Sequence, residues 1–383
     1  MKKSLLVLLF IVGIGVLENH GQVTVGNGHH VLEITGLISP YYGHRWLADD
    51  LNPEDAMDFK KNRFKLKDAI IEFEGRIGND YEYELQFDIA DFASGTIDPE
   101  DPGLMDAYIL YKGLNFIDIK FGYGKLPYSR SSLVPNKFAS VFNRAELVRG
   151  DFFSRRDVGL TLQRSFWHNR INAYLGTYTG MGSRTLDGNN DASGKLEYIG
   201  RVDISYPSSY KYRDIDDTHV PIPMFSFGAN ARYAEKQTTT GSNYFMQTID
   251  GTKYTYGLDF SAQYMGFSTQ FEIHQMRLEP NTPEKLLGYK TNYVLAGGWL
   301  AQMNYHSKKL KSILTIRFEE FNQNDLQPGV TQIFSGAYAL MLNDFNSMIR
   351  LQYNHIVKEE ILPYNDGFKW TDELKIGWIL TFK

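Results

Sequence analysis

The chain has no cysteine. That excludes a disulfide framework, a thiolate metal site and a thiol-linked lipid anchor. Beyond the N-terminus it also lacks any apolar run of about 18 residues, which excludes helical membrane spans. A mean hydropathy of −0.35 agrees with that exclusion. Signatures of catalysis are missing too: the nine histidines are scattered, and no phosphate-cradling glycine loop or zinc motif occurs. No cofactor, metal or nucleic-acid partner is expected.

The N-terminus is distinctive. Lys2 and Lys3 precede an apolar run from Leu5 to Leu17, the length of a signal-peptide core and short for a spanning helix. Residues 1–21 are therefore read as an export signal, with Gln22 as the mature start and 22–383 as one domain. A buried N-terminal helix is the alternative, although nothing amphipathic follows. Aromatic residues make up 14% of the chain, with 25 Tyr and 25 Phe, which suits rings placed at a water–lipid boundary.

The dominant pattern is strict alternation. In Tyr81–Ala90, Tyr81, Tyr83, Leu85, Phe87 and Ile89 share one face of an extended strand, and Glu82, Glu84, Gln86 and Asp88 share the other. The pattern returns at Ile117–Gly124, Lys195–Tyr206, Phe225–Tyr233, Thr255–Tyr264 and Asn292–Tyr305. In Lys195–Tyr206, Ile199 is the one apolar residue on the polar face. Counted from Val31 to the strand beginning at Leu374, the strands number about 16.

Their connections alternate in length. Gly78–Asp80, Gly113–Asn115, Met265–Gly266, His306–Lys308 and Asn343–Phe345 read as tight turns. Each is followed one strand later by a longer polar loop, the pattern of an outer-membrane barrel with turns in the periplasm and loops outside. One connection breaks it: Pro207–Met224 stands where a turn is due. A secreted β-sandwich would show similar alternation, but with strands of about 5 or 6 residues, whereas many here run about 9 to 12. The expected fold is all-β: a transmembrane antiparallel β-barrel of about 16 strands with a long inward-folded constriction loop.

That loop is expected at Lys125–Arg156. At about 32 residues it is too long for a hairpin and too apolar to hang in water. Lys125, Arg130, Lys137, Arg144, Arg149, Arg155 and Arg156 oppose only Glu146 and Asp151, in a chain whose net charge is −5. A basic ring at a narrow place attracts anions, and the arginine fork suits phosphate and carboxylate oxygens. The alternative for each residue is pairing with lumenal carboxylates such as Glu72, Glu74, Glu82 and Glu84. By strand parity Lys120, Arg201, Arg232, Arg317 and Arg350 also face the lumen. These are read as structural rather than selective, Arg317 pairing with Glu319.

The stretches Asn62–Asp91, Asp106–Ser129 and Ser154–Gln163, followed by Ala173–Gly180, Gly297–Tyr305 and Arg317–Asp325, resemble in order and spacing the phosphate-selective porin O/P family. The resemblance implies a trimeric porin of sixteen strands whose third loop enters the lumen, with basic residues guiding anions. The chain departs from that pattern in being acidic, with a pI near 6.0, and in ending Phe382-Lys383. The expected function is passive diffusion of small hydrophilic solutes across the outer membrane, with preference for anions such as phosphate. Membrane lipid and two further copies of the chain are the expected partners.

Two rivals remain. A barrel enzyme of lipase or protease type would need a nucleophile and base. His274 shares a face with Glu272, read as a lumen hydrogen bond rather than part of a triad. The acidic Asp98–Gly103 is read as a solvated loop tip rather than a Ca²⁺ site. The other rival is a structural barrel with a plugged lumen.

Overall fold

The computed structural model describes residues 22–25, 29–47, 62–90, 103–148, 154–180, 182, 193–236, 251–281, 292–322, 324–326, 329–358 and 370–382. The expected export signal, the acidic loop tip at 98–102 and Arg149 lie outside these.

A short strand β1 (Gln22–Val25) pairs with the start of β2 (His30–Leu47). The ring then runs through β3 (Asn62–Ile77), β4 (Tyr81–Asp88), β5 (Leu104–Tyr111), β6 (Asp118–Lys125), β7 (Arg156–Phe166), β8 (Ile171–Tyr178) and β9 (Glu197–Tyr206). It continues through β10 (Met224–Lys236), β11 (Gly251–Tyr264), β12 (Phe267–Pro280), β13 (Val294–Ser307), β14 (Ser312–Asn322), β15 (Thr331–Asn343), β16 (Ser347–Lys358) and β17 (Trp370–Phe382). Each of β2–β17 pairs antiparallel with the next. Pairing of β17 with β2 closes the ring at sixteen strands, so none of β2–β17 is a sheet edge.

The burial pattern is inverted relative to a soluble protein. On β9 Tyr198, Val202, Ile204 and Tyr206 are exposed, while Glu197, Arg201, Asp203 and Ser205 are buried. The same holds on β4, where Tyr81 and Leu85 are exposed and Gln86 and Asp88 buried. Polar groups can be buried this way only if they meet partners or water inside the ring.

The turns fall where alternation placed them, with small shifts. Met265 and Gly266 form the two-residue β11–β12 hairpin, both at positive φ (50° and 89°), the geometry that matches the twist of paired strands. The β13–β14 turn is Lys308–Lys311 rather than His306–Lys308, because His306 and Ser307 still pair with Ile313 and Ser312. A turn at Trp167–Arg170, missed by the sequence reading, joins β7 to β8. Within β2 the register slips between Ser39 and Pro40, since proline cannot donate to a ladder flanked on both sides.

Candidate functional site

The segment between β6 and β7 is rooted by charge. Arg156 Nη2 lies 3.0 Å from Asp106 Oδ2 of β5, and Lys125 Nζ lies 3.9 Å from the same oxygen. Lys120 Nζ donates to the Lys125 carbonyl at 3.3 Å and stands 4.1 Å from the Tyr108 ring centre. Both ends of the loop thus share one buried carboxylate.

Between them the chain makes one short helix, α1 (Arg130–Leu133), capped by Ser129 Oγ, which accepts from Ser132 N at 3.1 Å. Two single 3₁₀ turns follow, at Asn136–Phe138 and Glu146–Val148. Arg130 Nε donates to Asp259 Oδ1 of β11 at 2.9 Å, and Ser131 N and Oγ donate to Glu272 of β12 at 3.1 and 2.6 Å. Phe142 N donates to Gln352 of β16 at 2.7 Å, and Lys375 Nζ of β17 donates to Asn143 Oδ1 at 2.9 Å. The segment is thus hydrogen-bonded to buried groups on four strands, β11, β12, β16 and β17.

The remaining loop bases hold backbone. Arg144 donates to the Ser131 carbonyl, to the Val134 carbonyl at 2.6 Å and to Asn136 Oδ1 at 2.6 Å. Arg155 Nε donates to the Ser132 carbonyl at 2.9 Å. Irregular backbone buried in a barrel leaves carbonyls that neither ladder nor helix satisfies, and these guanidinium forks supply the donors. Lys137 is more open; its Nζ lies 3.6 Å from Glu72 Oε2.

Wall arginines pair as well. Arg201 lies 2.5 Å from Asp203 and 2.7 Å from Asp259, and Arg232 lies 2.5 Å from Glu197. Arg317 Nη2 lies 3.0 Å from Glu319, as parity suggested, and also donates to the Asn143 carbonyl at 2.9 Å. Arg350 Nη2 donates to the Ala139 carbonyl at 2.7 Å. Glu72, Glu74 and Glu84 bring their carboxylate oxygens within 4.8 Å of one another, whereas Glu82 instead pairs with Lys112 at 2.7 Å.

Glu272 Oε1 meets His274 Nε2 at 2.9 Å while its other oxygen takes Ser131 Oγ. The carboxylate therefore stands between serine and histidine. In a nucleophilic triad the histidine stands between, where it can take the serine proton.

Apolar packing completes the docking. Leu126, Tyr128, Leu147 and Val148 of the loop join Ile199, Met276, Leu278 and Leu300 of the wall in one buried cluster. Ile199, the apolar interruption in a polar face, is fully buried there. Burial pushes the Tyr128 phenol well above its usual range, so the loop meets this wall with a neutral ring.

Next to the loop is a lumenal cavity of about 40 Å³. Its charged lining comprises Lys67, Arg144, Arg317 and Arg350 against Asp68 and Asp214. Of the basic loop residues singled out in the sequence, Arg144 lines it. Arg317 and Arg350, read from sequence as structural, line it too, each with its buried Nε lacking a hydrogen-bond partner. Asp214 belongs to the anomalous connection after β9, and no signal in the sequence tied it to this site.

A closed sixteen-stranded barrel with a lipid-compatible exterior and a polar, partly filled interior defines the class of outer-membrane channels. The chain matches the phosphate-selective porin O and P family over residues 41–353, and it belongs to that family. Among solved structures it is similar to OmpT of Vibrio cholerae in its in-vitro folded trimer form, with TM-score 0.56, 9% identity, and coverage of 92% of this chain and 99% of that one. It is also similar to the outer membrane channel DcaP of Acinetobacter baumannii, with TM-score 0.57, 10% identity, and coverage of 94% and 99%. Salmonella typhi OmpF in complex with daunomycin gives TM-score 0.56, 11% identity, and coverage of 94% and 100%. At such identities the likeness is one of fold. No curated protein matches the chain.

Proposed function

We propose that this outer-membrane porin conducts small hydrophilic solutes with preference for anions, phosphate among them, through a pore narrowed by Leu126–Arg155. The carrying observation is the lumenal cavity, where four cationic side chains face two carboxylates and two buried guanidinium nitrogens have no protein acceptor. In a low-dielectric wall such an imbalance raises the local concentration of anions. Arg144, Arg317 and Arg350 are the groups assigned to selectivity, with Lys137 near the acidic cluster as a fourth. Lys125, Arg130, Arg155 and Arg156 act by holding the loop. A homotrimer, exported by the N-terminal signal and embedded in lipid, is the form in which the pore works. Conductance and reversal potential in planar bilayers test this reading.

One observation favours a second reading, a plugged structural barrel. Ser140 N of the loop donates to Asp214 Oδ2 at 3.0 Å, so segments entering from opposite mouths meet inside the ring. A plugged barrel opens no channel in the same experiment.

A further inference from the structure

The connection Pro207–Pro223 is the one long link among the described connections on the turn side of the barrel; every other described link there is tight. It enters the ring. The Asp214 carbonyl accepts from Ser268 Oγ at 2.6 Å and from Asn304 Nδ2 at 2.7 Å, both inward-pointing wall groups. Gly266 N donates to Asp216 Oδ2 at 2.8 Å. Ile215 is buried in a cluster with Phe142 of the loop and Ile313, Met341 and Met348 of the wall. The rings of Tyr210 and Tyr212 lie 5.1 and 5.2 Å from the Arg130 guanidinium carbon. Polar anchors on two wall strands and on the β11–β12 turn, with an apolar residue beneath them, fix the backbone of this segment around residue 214.

The consequence falls on the Asp214 side chain. Its Oδ2 accepts from Ser140 N and Oγ at 3.0 and 3.3 Å, and it borders the cavity shared by Lys67, Arg144, Arg317 and Arg350. Asp214 and Asp68 are the carboxylates whose charge reaches Arg350. A carboxylate held there occupies the position, relative to those cations, that a permeating anion would take. One backbone and one hydroxyl donor of Ser140 hold it aimed at the loop rather than at any one arginine.

We infer that Asp214 is a specificity-determining residue of the pore: a built-in anion, delivered from the turn side, that moderates the pull of the cavity cations on solutes. The inference rests on the pore reading above and adds the residue that sets the strength of its selectivity. Removing the charge while keeping the shape leaves four cations facing Asp68 alone, so the pore becomes more anion-selective.

The test is the reversal potential of single channels under a KCl gradient for the full-length protein and for Asp214→Asn, Asp214→Glu and Asp344→Asn. Asp344 is an exposed turn residue outside the cavity and controls for net charge. The chloride-over-potassium permeability ratio is expected to rise about two-fold or more in Asp214→Asn, the effect of one unit charge close to the path, and to stay unchanged in the other two. Should Asp214→Asn refold poorly, Asp214→Ser carries the same expectation. A conducting unaltered protein whose Asp214→Asn and Asp214→Ser forms keep its permeability ratio overturns this inference alone. An unaltered protein that opens no channel overturns the pore reading, and this inference with it.

Discussion

Arg130 and Asp259 meet at 2.9 Å, the guanidinium from the segment between β6 and β7 and the carboxylate from β11, with both side chains almost wholly enclosed. Asp259 also takes Arg201 at 2.7 Å, so one carboxylate ties the loop to two strands. A buried pair of this kind adds little net stability over a well-packed apolar pair, but breaking it leaves an uncompensated charge that costs about 3–5 kcal/mol.

Asp259→Ala should therefore strip Arg130 of its carboxylate partner, leave Arg201 with Asp203 alone, and loosen the loop. Single channels of this variant should be larger and noisier, and the folded band on unheated gels should be lost at lower temperature. The double replacement Arg130→Met with Asp259→Leu should be the milder of the two, since no orphan charge remains near α1. Equal damage from both would argue against charge as the fixing element.

The apolar seam beneath the loop makes a separate prediction. Leu147 is fully buried against the wall cluster that contains Ile199. Leu147→Ala should cost about 2–5 kcal/mol, the usual range for emptying a packed leucine site. Because the seam joins loop to wall rather than strand to strand, the loss should appear as faster proteolysis of the loop, with the barrel still resistant to detergent.

The exterior gives a third. Leu258 of β11 is exposed at mid-strand, facing lipid. Leu258→Arg should destabilise the folded barrel by about 2–4 kcal/mol in denaturant titrations from vesicles, and Leu258→Phe should not. A neutral outcome for arginine would place this face in water.

On the proposed function, some basic residues fix the loop and others steer anions. Lys137→Gln should leave thermal stability unchanged, because its one ion pair is long and partly open. It should nevertheless reduce the chloride-over-potassium permeability ratio. Arg156→Gln should do the reverse, lowering stability because buried Asp106 loses its closest cation and keeps only Lys125 at 3.9 Å, and changing selectivity little.

Much of the fold was legible in the sequence because a barrel strand has only one degree of pattern freedom: each residue faces lipid or lumen. Tyr81–Asp88 and Glu197–Tyr206 follow that rule, and the unusual length of Pro207–Met224 was visible as a violated alternation. Even the docking surface left a trace, since Ile199 is apolar where the face should be polar. The pairing of charges was not legible. Arg130 finds Asp259 at a separation of 129 residues, and Lys375 finds Asn143 at 232; strand parity gives the face a residue points to, not the depth at which two distant segments meet. For the same reason Arg317 and Arg350 read as structural wall residues, although they border the cavity together with Asp214.

The most direct test of the account is the reversal potential of purified, refolded protein in a planar bilayer under a KCl gradient, repeated with phosphate added. The account predicts open channels that favour chloride over potassium, that phosphate reduces in conductance, and that lose the preference when Arg144, Arg317 and Arg350 are neutralised. Channels that favour potassium, or a barrel that opens none, would contradict it.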